Sequence, residues 1–403
     1  MFKKTETDFC SIADSYQVYA ENDEIHGGNI LQYGYKSGII DFSANINPIG
    51  LSTKASEILK DFKKLKFFTE NYPQNYPELF INALSFYHGI EKRFIFAGAG
   101  ASELIFGITA KLNPKNAVII EPSFCEYERA ALSKIPQSKI FHINTYLSEN
   151  FELKEKSMAR LFERLNENIG ENDAVFIASP SNPAGKITPI QTIIKILKKL
   201  KEKKAFLILD ESFMDFCEDF SAKHLIAGTS LDDKESSGTG KFDNLIIVRS
   251  MTKFFSMPGQ RLGYALANPS LIYKLWESSV PWKITSLSEQ IAFLSISDEN
   301  YILKSLKLLK ELKTDLENKL KKINFLKIIS GAANFFLIKI TDDGLNAEDV
   351  KYHLLKCGIL IRHCGNYRGL NDKYFRIAVR KKTENDYLIR QLRKMESSLR
   401  KLR

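Results

Sequence analysis

The stretch that decides the fold is Leu245–Arg261, LIIVRSMTKFFSMPGQR. Leu245–Val248 is a short aliphatic run without polar alternation, the pattern of a strand buried on both faces of a sheet. Polar residues follow at once, and Lys253 comes just past the strand end. Burial there opposes a lysine's charge and lowers its pKa, which suits an amine that must become a nucleophile. A lone lysine after a strand is ordinarily a solvated charge, so the surrounding sequence has to decide.

Three similar runs precede it: Ala117–Ile120, Ala174–Ala178 and Ala205–Leu209. Helical patterns such as Ala101–Leu112 and Pro189–Lys201 lie between them. This alternation predicts an α/β fold with a parallel sheet covered on both faces. Ligands of such sheets bind beyond the carboxyl ends of the strands. That singles out Glu121–Tyr127, Ser179–Gly185, Asp210–Phe213 and Arg249–Lys253. Asp210 puts a carboxylate at a strand end. Ser179–Gly185, SPSNPAG, is a rigid turn presenting the Asn182 amide. Gly98–Glu103, GAGASE, opens a helix whose free N–H groups can cradle a phosphate. Ser250, Thr252 and Arg261 surround Lys253 with further anion-binding groups. Each feature alone is a common cap or turn; their conjunction carries the reading.

A chain of 403 residues predicts two domains. Residues 51–289 form the larger, with 1–50 as an irregular segment joining the smaller. From about residue 290 a long helix is expected, with Ile302, Leu306, Leu309, Leu312, Leu316, Leu320 and Ile323 at steps of three and four. Strand-like pieces at Asn334–Ile340 and Phe375–Val379 then complete a small α+β domain over 290–403. Asp232–Lys241 reads as an exposed loop. The net charge is +10, but its lysines are dispersed and no aromatic-interleaved basic cluster appears. That reads as a lysine-rich solvated surface rather than a nucleic-acid interface, and it is compatible with an anionic substrate. Cys10, Cys125, Cys217, Cys357 and Cys364 are scattered, which disfavours a disulfide framework or a metal site. No signal peptide and no apolar span of membrane length is evident, so the cytoplasm is expected and no membrane partner.

The order and spacing of these motifs resemble the fold-type-I pyridoxal-phosphate (PLP) enzymes of the class I/II aminotransferase superfamily. Within it, the chain is similar to the threonine-phosphate decarboxylases of cobalamin biosynthesis, with histidinol-phosphate aminotransferases next. The resemblance spans nearly the whole chain. It rests on HGGN (His26–Asn29), DFSANINPIG (Asp41–Gly50), PSFCEYERA (Pro122–Ala130), RSMTKFFSMPGQRLGY (Arg249–Tyr264) and YFRIAVR (Tyr374–Arg380).

The resemblance implies a mostly parallel seven-stranded sheet with PLP as cofactor. Lys253 would hold it as a Schiff base, Asp210 would pair with its pyridine nitrogen, and Asn182 would donate to its O3′. Phe124 would stack on the ring, and Gly100, Ala101, Ser102, Ser250 and Arg261 would form the phosphate cup. Tyr72 would reach the neighbouring subunit's cofactor, which implies a homodimer. Arg376 would take the substrate carboxylate and Arg362 its phosphate, with His26, Asn29 and Asn45 beside the substrate. Phe213 departs from the family's frequent tyrosine and cannot donate to O3′; Ala99 and Ala184 also depart from common choices. The implied reaction is decarboxylation of L-threonine O-3-phosphate to 1-aminopropan-2-ol phosphate, or of L-serine phosphate to ethanolamine phosphate. Histidinol-phosphate amino transfer is the alternative. A regulator built on the same scaffold would need a DNA-binding helix-turn-helix, for which the N-terminus is too short.

Overall fold

The apolar runs pair into one sheet. A computed structural model describes residues 26–34, 38–133, 137–226 and 242–402, so Cys10 and the Asp232–Lys241 loop lie outside the described residues. A short strand β1 (Ile40–Asp41) comes first. Then follow β2 (Ile95–Gly98), β3 (Asn116–Glu121), β4 (Lys139–Asn144), β5 (Ala174–Ala178), β6 (Phe206–Asp210), β7 (Leu245–Ser250) and β8 (Gly263–Leu266). The seven-stranded sheet has the order β2-β8-β7-β6-β5-β3-β4, and only β8 runs against its neighbours. This is the expected mostly parallel α/β sheet.

Every residue of β5 and β7 is buried, because helices cover both faces. One face packs Leu104, Ile105 and Ile108 of the helix Ala101–Leu112; the other packs Ile193, Ile196 and Leu197 of the helix Ile190–Glu202. Each such side chain contributes roughly 1.5–3 kcal/mol on burial. The chain order reverses between β3 and β5, which lie side by side. Crevices at such reversals are where doubly wound sheets bind ligands.

A second sheet is antiparallel: β9 (Leu326–Ser330), β10 (Phe335–Ile340), β12 (Arg362–His363) and β13 (Tyr374–Ala378), ordered β12-β13-β10-β9. β11 (Ile359–Leu360) pairs in parallel with β1, and Phe42 enters this second core. The helix expected from about residue 290 is two helices, Ser286–Ile296 and Glu299–Leu320. Asp298 breaks the run by capping the second through the Tyr301 N–H. Ile323 falls beyond that helix but still packs in the second core.

The two bodies touch through backbone. The Ala332 N–H donates to the Gly185 carbonyl at 2.7 Å. A Cβ on Gly331 would stand 2.3 Å from that same oxygen, so only glycine fits. Lys186 Nζ adds a bond to the Ser330 carbonyl at 2.6 Å.

Candidate active site

Each strand end contributes one group. The register Ala178↔Asp210 and Asp210↔Val248 sets the ends of β5, β6 and β7 side by side. A cavity of about 430 Å³ opens there, lined by Lys253, Asp210, Asn182, Phe124, Phe213, Ser250, Ala101, Ser102, Arg261, Arg376, His26 and Asn45, among others. These residues are drawn from nearly the whole length of the chain.

Lys253 is partly buried, with its Nζ 5.9 Å from the centre of the Phe213 ring. Its pKa falls to about 8, first because burial penalises the charge and then because Arg376 and Arg261 repel it; Asp210 acts the other way. Among the described residues no carboxylate lies within ion-pairing distance of it. Asp210 accepts from the Tyr127 hydroxyl at 2.6 Å and from the Ser212 N–H at 2.9 Å. Burial pushes the Tyr127 phenol well above its ordinary value, so it stays protonated and remains a donor.

The helix Ala101–Leu112 points its start at the cavity, where its first N–H groups have no partner within the helix. Gly100 enters it at φ 99°, a left-handed conformation that side chains resist. Arg261, also left-handed at φ 50°, lies against Gly100, its Nη2 3.1 Å from where a Cβ would be. Ser250 and Thr252 share a hydroxyl bond at 2.7 Å. Two hydroxyls, an arginine and a helix start thus converge on one corner, a cradle for a phosphate.

The opposite wall comes from the second body. Arg362 and Arg376 face each other directly across β12 and β13, and both are buried. Arg376 donates to the Asn182 side-chain oxygen and to the Ser43 carbonyl. No carboxylate among the described residues pairs with it. Arg362 bonds the His363 carbonyl and Asn366 Oδ1. It lines two adjoining cavities, of about 400 and 310 Å³.

Not every expected residue meets here. Tyr72 is 83% exposed and packs on Trp282, away from this chain's own cavity. Asn29 lines the 310 Å³ cavity with Arg362. His26 borders all three cavities and bonds Glu126 at 3.0 Å, which holds the Glu126 carboxyl below its usual range.

The family model for aminotransferase class I and II matches residues 37–392. The chain belongs to this family. The family works with PLP, and PLP is the cofactor of this enzyme. The residues fit it: a partly buried, uncharged-prone amine, a strand-end carboxylate and a phosphate cradle share one cavity of suitable size. A Caldanaerobacter subterraneus protein provisionally named a threonine-phosphate decarboxylase is 32% identical over 91% of this chain and 93% of its own length. The threonine-phosphate decarboxylase of Salmonella typhimurium is 28% identical over 91% of this chain and 95% of its own. The solved histidinol-phosphate aminotransferase of Clostridium acetobutylicum superposes with a TM-score of 0.76 at 29% identity, covering 89% of this chain and 99% of that one.

Several supporting residues escaped the sequence reading. Asn47 accepts nothing from the cavity but ties down its floor: its N–H bonds the Lys253 carbonyl at 3.0 Å and its amide reaches Phe254, Tyr301 and Ser305. Asp41 Oδ1 accepts from Ser43 N–H and Oγ–H, fixing the turn whose carbonyl meets Arg376. Arg249, fully buried on β7, is paired with Glu211, Asp215 and Glu218. An arginine set inside an otherwise apolar strand was the available signal for that cluster.

Proposed function

We propose that this enzyme decarboxylates an O-phosphorylated hydroxy-amino acid, L-threonine O-3-phosphate or L-serine phosphate, as a carbon–carbon lyase of cobalamin biosynthesis. The observation that carries this is the facing pair Arg362 and Arg376. Like charges directly opposite on a ladder are unfavourable, and a substrate with two anionic groups relieves them.

Bound PLP supplies an electron sink for the bond that breaks at the substrate Cα. Lys253 holds the cofactor and afterwards delivers a proton to Cα; its lowered pKa suits both tasks. Asp210, held by hydrogen bonds from Tyr127 and Ser212, would pair with the pyridine nitrogen. Asn182 would donate to O3′, Phe124 would cover the ring, and Gly100, Ala101, Ser102, Ser250 and Arg261 would take the phosphate. Arg376 shares the cavity with Lys253, so it takes the carboxylate next to the reacting amine. Arg362 stands farther out and takes the substrate phosphate, with His26, Asn29 and Asn45 closing over it. Tyr72 reaches the cofactor of a second copy in a homodimer, a reading its exposure supports. A cytoplasmic setting is supported by the free state of Cys125, Cys217, Cys357 and Cys364.

The likeness to the Clostridium structure favours a second reading, histidinol-phosphate amino transfer. Purified enzyme incubated with each phosphorylated amino acid decides between them. CO₂ release without consumption of 2-oxoglutarate is expected. Amino transfer from histidinol phosphate with no CO₂ from either amino acid overturns the proposal.

A further inference from the structure

Phe213 cannot donate a hydrogen bond, so the task of holding the cofactor's phenolic oxygen falls more heavily on Asn182. An amide has two unlike ends, a donor NH₂ and an acceptor oxygen. Which end faces the cofactor depends on what binds the other. Two donors converge on Asn182 Oδ1: the guanidinium of Arg376 and the hydroxyl of Tyr367, the latter at 3.4 Å. With both on the oxygen, the NH₂ is left for the cavity.

Arg376 cannot serve throughout the reaction. An arriving carboxylate makes stronger, charge-assisted bonds to it and competes with the amide oxygen. Tyr367 has no such competing demand on its hydroxyl. Its position is secured independently: its N–H bonds the Cys364 carbonyl at 3.1 Å and its own carbonyl accepts from Leu370. Its ring lies under Arg362, with the guanidinium carbon 5.3 Å from the ring centre. It lines both the Lys253 cavity and the adjoining one that Arg362 borders.

We propose that Tyr367 is a positioning residue: its hydroxyl keeps the Asn182 amide turned toward the cofactor while the substrate carboxylate occupies Arg376. The same side chain backs Arg362, so amide orientation and phosphate binding meet at one residue. The inference rests on the PLP-dependent reading above.

The test is a pH titration of the holoenzyme's cofactor absorbance, for wild type and Tyr367→Phe. Each is measured alone and with 3-(phosphonooxy)butanoate, which has the carboxylate and the phosphate but no amine. Alone, the two proteins titrate together, because Arg376 still holds the amide. With the analogue, the variant's midpoint lies about half to one pH unit above wild type, the loss of roughly one hydrogen bond to the phenolate. Its kcat falls about 3- to 10-fold while KM stays within about 2-fold. Tyr367→Leu, which also strips the ring from Arg362, raises KM as well. Coincident titrations of wild type and Tyr367→Phe with the analogue bound overturn the inference. A wild-type protein that shows no cofactor band overturns the cofactor reading beneath it, so the two failures are distinct.

Discussion

Replacing Lys253 by methionine is expected to stabilise the apoenzyme at neutral pH. The lysine's pKa drops from 10.5 to about 8 in the folded protein, chiefly through burial and then through Arg376 and Arg261. A difference of about 2.5 units at ~1.36 kcal/mol each is roughly 3 kcal/mol. Below pH 8 the lysine is charged in both folded and unfolded chains, and the full penalty of burying that charge weighs on the fold. Between pH 8 and 10.5 the unfolded chain holds the proton and the folded chain does not, so wild-type stability rises with pH across this window. Methionine fills much the same space and carries no charge to bury. The variant should therefore be more stable by about 3 kcal/mol at pH 7, an advantage that fades toward pH 10.5. Urea unfolding of both apoproteins at matched concentration, at pH 7 and again near pH 10.5, measures the difference and cancels all other titrating groups. An advantage that is absent at pH 7, or equally large at both ends, would show that Lys253 is not a strained cation in this site.

Three shorter expectations follow from the same geometry. Asp210→Asn keeps an acceptor for Tyr127; if Asp210 pairs with the pyridine nitrogen, kcat should fall by at least about 100-fold while PLP, read by absorbance, still binds. Gly331→Ala drives a methyl into the Gly185 carbonyl, so chemical denaturation should show a loss of about 1–3 kcal/mol, and PLP should bind more weakly because the same turn carries Asn182. If Tyr72 completes a second copy's site, an equimolar mixture of inactive Tyr72→Ala and Lys253→Ala should recover about a quarter of wild-type activity, through hybrid dimers with one intact site; no recovery on mixing counts against the shared site.

The strand ends were legible because the signal is local. An apolar run such as Ala174–Ala178 is buried on both faces wherever it sits in the sheet, and the residue after it must emerge at the carboxyl edge. The motif residues Lys253, Asp210, Asn182 and the Gly98–Glu103 helix start could therefore be placed before any contact was known. The helix boundary near Asp298 was missed because the apolar spacing that was read starts only at Ile302; the second helix begins at a cap, a single side-chain bond from Asp298.

What the sequence determined by itself is a parallel sheet and a row of chemical groups at its edge, since both depend on short-range pattern. What only the tertiary structure decided is how groups far apart in the chain face one another. Arg362 and Arg376 are opposed by one antiparallel register, and a shift of one residue would turn one of them to the other face. Asn47 reaches the Lys253 carbonyl, and Tyr367 reaches Asn182, across long stretches of intervening chain. No local pattern encodes such meetings: they follow from the packing of two cores against each other, where Gly185 and Gly331 allow the backbones to touch. The opening lysine is thus a product of its strand, but its lowered pKa is a product of the fold that buries it beside two arginines.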